Sequence, residues 1–151
     1  MSIQVPQALK AEHGELHAEL VRATEAGGRT GEEAREVARL MHPHFADEEA
    51  FALPPLGLLA ELSAGNVEDR MAEVLDMTDR LEAELPRMLA EHRTIVAALR
   101  RLADAAKAED KPEYVRFAEK LIAHARAEEE VSYPAALLVG RYLKAVLPAR
   151  R

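Results

Sequence analysis

A histidine followed four residues later by a glutamate occurs twice in this chain, as His44 and Glu48 in HPHFADEEAF and as His124 and Glu128 in HARAEEEVSYP. On a helix this spacing stacks the two side chains on one face, roughly 6 Å apart along the axis. An imidazole nitrogen and a carboxylate presented together suit a divalent transition metal such as iron, manganese or zinc. Two more histidines, His13 and His92, fall on stretches whose periodicity predicts two other helices. The pattern points to a metal site inside a helical bundle.

The spacing alone is weak evidence, because 27 of 151 residues are acidic and a His/Glu pair at i, i+4 is also an ordinary surface stabiliser worth about 0.2–0.5 kcal/mol. Position carries more weight. His44 and Glu48 share a stripe with Val37, Met41 and Phe51, and His124 and Glu128 share one with Phe117, Leu121 and Val131. On an apolar face each unpaired polar group would cost about 1–3 kcal/mol, and metal ligation removes that penalty. His17, four residues from His13, reads as a partly buried bystander, with a seventh ligand or a donor to the ligands as alternatives. His42 reads as solvated, and Glu49, Glu129 and Glu130 as surface charges. Tyr114 and Tyr133 read as core aromatics, with an approach to the cavity as the alternative.

Elements must position these groups. The first helix is expected from Pro6 to about Glu25, with Leu9, His13, Leu16 and Leu20 inward and Gly27 and Gly28 stopping it. Thr30 and Gly31 lead into a second helix, bent at Pro43 and ended by Pro54 and Pro55. LGLLAELSAG reads as a short apolar connector. Asn66 then caps a very long third helix reaching about Ala108, which Pro86 should kink or divide. Its apolar side runs through Met71, Leu75, Leu81, Leu85, Met88, Leu89, His92, Ile95, Val96, Leu99 and Leu102. Asp110 and Pro112 cap a fourth helix with Tyr114, Phe117, Leu121, His124, Glu128 and Val131 inward, and Pro134 marks its end or a bend. Residues 135–147 form a fifth, shorter helix. Short linkers make sequential helices antiparallel neighbours in one bundle.

Composition agrees with this all-α expectation. A chain of 151 residues is one ordinary domain, able to bury about two-thirds of its unfolded surface. Residues 1–151 therefore read as a single unit. Without cysteine there are no disulfides, thiolate metal sites or cysteine-ligated clusters, so any metal is held by nitrogen and oxygen. A net charge of −7, with no basic stripe carrying interleaved aromatics, argues against a nucleic-acid binder, and the basic ending Pro148, Ala149, Arg150, Arg151 is too short to change that. No apolar run approaches the roughly 20 residues of a membrane span, and MSIQVPQALK lacks an apolar signal region, so a cytoplasmic location is expected.

Each half also carries a weak echo of the other, a histidine-bearing helix followed by a helix with the His/Glu pair. On AEHGEL around His13, HFADEEAFALPPL from His44, AEHRTIVAAL around His92 and HARAEEEVSYP from His124, the chain resembles the hemerythrin-like family, or HHE cation-binding domain, over roughly residues 5 to 135. The resemblance implies an up-and-down four-helix bundle, here with a short additional C-terminal helix, around a non-haem di-iron centre. It implies His13, His44, His92 and His124 as terminal nitrogen ligands and Glu48 and Glu128 as bridging carboxylates. Two iron ions, oxo- or hydroxo-bridged, would be the cofactor, with zinc or manganese as alternatives for the same donors. Oxygen, peroxide or nitric oxide would be the small ligand.

Oxygen-carrying hemerythrins place a second histidine four residues along the third helix, where this chain has Met88 and Val96 on either side of His92. The fourth helix offers Glu128 at four residues, with Glu129 competing at five. The resemblance therefore favours sensing or peroxide chemistry over oxygen carriage, with iron storage as a variant. The rival reading is an interaction module, metal-free or holding zinc or manganese, that uses the LGLL connector and fifth helix to form a homodimer or hold a partner.

Overall fold

The computed structural model describes residues 3–148. Ala149, Arg150 and Arg151, most of the basic ending, lie outside the described residues. Every regular element among those described is helical. Four helices form the bundle: α1 (Gln7–Thr24), α2 (Gly28–Asp47), α4 (Val74–Ala108) and α5 (Pro112–Ala127). A short α3 (Leu59–Ser63) lies in the α2–α4 connection, and α6 (Tyr133–Val146) follows α5 and packs on α4. None of these helices is long and apolar enough to cross a membrane.

The α1–α2 turn shows why α2 starts earlier than Thr30. Gly27 and Gly28 have φ of 76° and 57°, a left-handed backbone open to glycine at little cost, and Glu109 from the far end of α4 reaches over the new helix. Its carboxylate accepts from the backbone amides of Arg29 (3.1 Å) and Thr30 (2.8 Å) and from the Thr30 hydroxyl (2.5 Å). A side chain at Gly28 would collide with that carboxylate. The neighbouring Lys111 ammonium donates to the Ala26 carbonyl at 2.8 Å, so both loops at this end are tied together.

The Thr30 hydroxyl, then the Thr30 and Arg29 amides, hold the Glu109 carboxyl at about 2, down from 4.5. A lowered folded-state value means stability that is present above the ordinary value and lost as pH falls toward the lowered one. Glu109→Gln is thus expected to melt below the wild type at pH 7, with the difference closing as pH falls from about 4.5 to about 2. Thermal melts across that range check it.

The prolines behave unlike one another. Pro43 and Pro86 both sit inside continuous helices, and Pro86 does not divide α4. Pro86 lies on an exposed face, where water can satisfy the carbonyl that loses its amide partner. Pro54 and Pro134, each six residues after a candidate glutamate, instead follow π turns over Glu48–Ala52 and Glu128–Ser132. The Leu53 amide closes the first on the Glu48 carbonyl at 2.9 Å, and the Tyr133 amide closes the second on the Glu128 carbonyl.

A π turn adds one residue, which rotates everything after it by about 100° around the axis. That rotation corrects the expectation for Val131, which is 64% exposed, and turns Tyr133 inward in its place. Burial then continues on α6 through Ala136, Val139, Gly140 and Leu143. The third long helix likewise does not begin at Asn66. Glu68 is extended and caps a 3-10 turn, Asp69–Glu73, from which α4 proceeds. At the start of α5, Asp110 is left-handed (φ 55°) and Lys111 takes the N-cap position.

The LGLL connector is largely interior, since Leu56 and Leu58 are buried and Leu59 is exposed. The apolar core falls into blocks. One gathers Leu16, Leu20, Val37, Met41, Ile95 and Leu121, another Phe51, Leu53, Leu81, Met88 and Tyr133. His44 lies between Met41 and Phe51, and His92 between Met88 and Ile95, so a polar layer separates the two blocks.

Candidate metal centre

All six residues singled out by spacing and stripe meet in this layer. They form two groups whose donor atoms lie within 4.8 Å of one another: His44, Glu48, His92 and Glu128, and His13, His124 and Glu128. Each helix of the bundle contributes one histidine. Glu128 belongs to both groups. Its Oε1 lies 3.3 Å from His92 Nε2, while its Oε2 lies 3.2 Å from His124 Nε2 and 3.5 Å from His13 Nε2. Glu48 is in the first group only, with Oε1 3.7 Å from His44 Nε2 and Oε2 accepting the Tyr133 hydroxyl at 2.7 Å. The arrangement is therefore less even than a pair of equivalent bridging carboxylates.

The histidines meet in pairs through Nε2, His44 with His92 at 2.9 Å and His13 with His124 at 3.2 Å. Their other nitrogens explain why. His44 Nδ1 lies 2.9 Å from Glu91 Oε1 and His124 Nδ1 lies 2.5 Å from Glu12 Oε1, so each donates Nδ1–H outward to a carboxylate. A neutral ring bonded in this way presents its Nε2 lone pair to the interior. Burial lowers the His44 pKa despite the Glu91 hydrogen bond, which favours that neutral form, whereas at His124 burial is outweighed by Glu128 and Glu12 and the pKa rises. Converging lone pairs repel one another unless a cation sits among them.

The carboxylates show the same need. Burial and the nearby Glu128 push Glu48 well above the ordinary carboxylate range. Burial also disfavours the Glu128 anion, but the polar neighbours Glu48, His124, His13 and His92 outweigh it and hold Glu128 low. Glu48 Oε1 and Glu128 Oε2 are buried without a hydrogen-bond partner. Orphaned carboxylate oxygens beside the converging Nε2 atoms of four histidines are a donor set that fits a hard or borderline cation.

Glu12 and Glu91 touch the cluster though spacing did not single them out, and Tyr133 reaches it, the alternative to core packing. Glu12 and Glu91 each immediately precede a candidate histidine in the sequence AEH, yet each serves a histidine on a different helix. The two halves thus cross over: Glu12 supports His124, and Glu91 supports His44. Arg87 holds Glu91 from outside at 2.6 Å. Tyr133 breaks the symmetry, because the matching position after Glu48 is Leu53. The tyrosine hydroxyl lies 3.1 Å from His92 Nε2, and burial together with the Glu48 and Glu128 charges pushes its pKa up.

The remaining candidates stay outside. His17 is exposed rather than partly buried, and His42 is exposed as expected. Glu129 sits 3.4 Å from His92 Nδ1 on the outer side of the ring, not among the converging donors. No family model, no curated protein and no solved structure matches the chain.

Proposed function

We propose that this chain is a hemerythrin-like non-haem di-iron protein that binds, senses or reacts with oxygen, peroxide or nitric oxide. The observation that carries the reading is Glu128, which turns one oxygen to each of two histidine pairs, as a carboxylate between two ions would. His44, His92, Glu48 and Glu128 would hold one ion, and His13, His124 and Glu128 the other. Iron held there would supply a redox-active Lewis acid for a small ligand.

The residues of the chain do the rest. Glu91 and Glu12 hold His44 and His124 in the tautomer that leaves Nε2 free. Tyr133 orients Glu48 by donating its proton to Oε2. Met41, Ile95 and Leu121 line a space of about 10 Å³ beside His44, His92, His124 and Glu128, room for roughly one water-sized group. So little interior space argues against any bulky ligand among these donors.

The same donors accept zinc or manganese, so the test begins with the metal. Elemental analysis and an absorption spectrum of anaerobically prepared protein should find two irons per chain. Peroxide or nitric oxide should then change the spectrum reversibly, whereas sustained oxygen release from peroxide would mark turnover. Near-zero bound metal after iron-replete expression would sink the reading.

A further inference from the structure

Outside the bundle interior, a groove of about 740 Å³ runs between α1 and α2, within the usual size range of small-molecule sites. Its walls are mainly apolar, among them Leu20, Val21, Ala38, Met41, Phe45 and Ala46. Val21 is 43% exposed although the groove could shelter it. The antiparallel helices put Lys10 and Glu49 at one end and Thr24, Arg35 and Arg39 at the other.

Charge distinguishes those ends. Lys10 shares its end of the groove with a residue of opposite charge, Glu49. At the other end stand two arginines, of which Arg39 is held by Glu36 and Arg35 makes no ion pair among the described residues. Clustered arginine at the mouth of an apolar groove, in a chain of net charge −7, selects a ligand that is both anionic and apolar. The groove also reaches the candidate centre from outside. His13 forms part of its lining and packs on Phe45 with ring centroids 4.9 Å apart.

We propose that the α1–α2 groove binds a medium-chain carboxylate, its head on Arg35 and Arg39 and its tail ending against His13. The helical rise puts Thr24 and His13 about 16 Å apart, the length of an extended acid of about twelve carbons. The placement of the tail beside a metal ligand rests on the metal reading; the binding itself does not.

Calorimetry with dodecanoate and dodecanol on the full chain, as purified and after metal stripping, tests the groove. Dodecanoate should bind in the micromolar range to both samples, and dodecanol at least about tenfold more weakly. Arg35→Glu should weaken dodecanoate by about tenfold or more. Gly14→Phe should do the same, because Gly14 lines the groove and a Cβ there meets nothing within 4 Å, so the fold tolerates the blocking side chain. No binding at millimolar dodecanoate, or equal affinity in both variants, overturns the proposal. A wild-type dimer that Gly14→Phe makes monomeric also overturns it, by giving the groove to a second copy of the chain.

The tail is located separately. In iron-loaded protein the NMR line of a ¹³C-labelled terminal methyl should broaden more than that of a labelled carboxyl carbon, and in zinc-loaded protein neither should. Iron bound without that difference overturns the tail placement and leaves the metal reading intact. Failure to bind iron while dodecanoate still binds removes the metal reading and leaves the groove.

Discussion

Glu128→Gln is expected to bring bound metal from two ions per chain to near zero, while Glu48→Gln retains one. Glutamine keeps the shape of the side chain but removes the anion that faces both histidine pairs. Glu48 belongs to the first group only, so its loss leaves His13, His124 and Glu128 together. The fold should survive both changes, because glutamine fills the same volume and can still hydrogen-bond to the polar groups around it. Elemental analysis reads the stoichiometry. A Glu128→Gln protein that keeps two ions rules out the shared-carboxylate centre.

Heat provides a second measure of the same variant. Metal at about a hundred times its dissociation constant adds about 2.7 kcal/mol of stability, which moves the melting temperature of a chain this long by roughly 5–10 °C. A chelator should lower the wild-type melting temperature by that amount and hardly change that of Glu128→Gln.

The next largest effect falls on the outer carboxylates. Glu91→Gln should weaken the ion held by His44, His92, Glu48 and Glu128 by about 10–100-fold, and Glu12→Gln should weaken the other by a similar factor. Each substitution removes the negative charge that fixes one tautomer, on His44 or on His124. Competition with a chromophoric chelator should resolve two phases, one shifting in each variant and the other staying in place. Glu130→Gln, an exposed change in the acidic run, should shift neither. If both phases shift together in either variant, the outer carboxylates do not act on separate ions.

Much of this was legible before any coordinates. Helix-period stripes identified the buried faces, and His13, His44, Glu48, His92, His124 and Glu128 all lie where those stripes meet. The expectation for Val131 failed at one physical point. Proline signals a break in the ladder, but Pro43 and Pro86 sit inside continuous helices while Pro54 and Pro134 follow π turns. Which outcome occurs depends on the packing around the freed carbonyl. At Glu128 the π turn shifts the register and carries Tyr133 onto the centre.

Glu12 and Glu91 were hidden for a different reason. Each stands beside a histidine in sequence, in a chain full of glutamate, and so resembles a solvated charge. Its partner is 112 positions away for Glu12 and 47 for Glu91. Local periodicity contains nothing about such a pairing.

By itself, the sequence determined the helices, the faces they bury and a donor set restricted to nitrogen and oxygen. These follow from residue type and from spacing within single turns. Tertiary structure decided which carboxylate is shared, which imidazole nitrogen faces inward and which tyrosine joins the site. Those outcomes depend on distances of about 3 Å between atoms on different helices, set by how whole helices pack and by an extra residue in a turn.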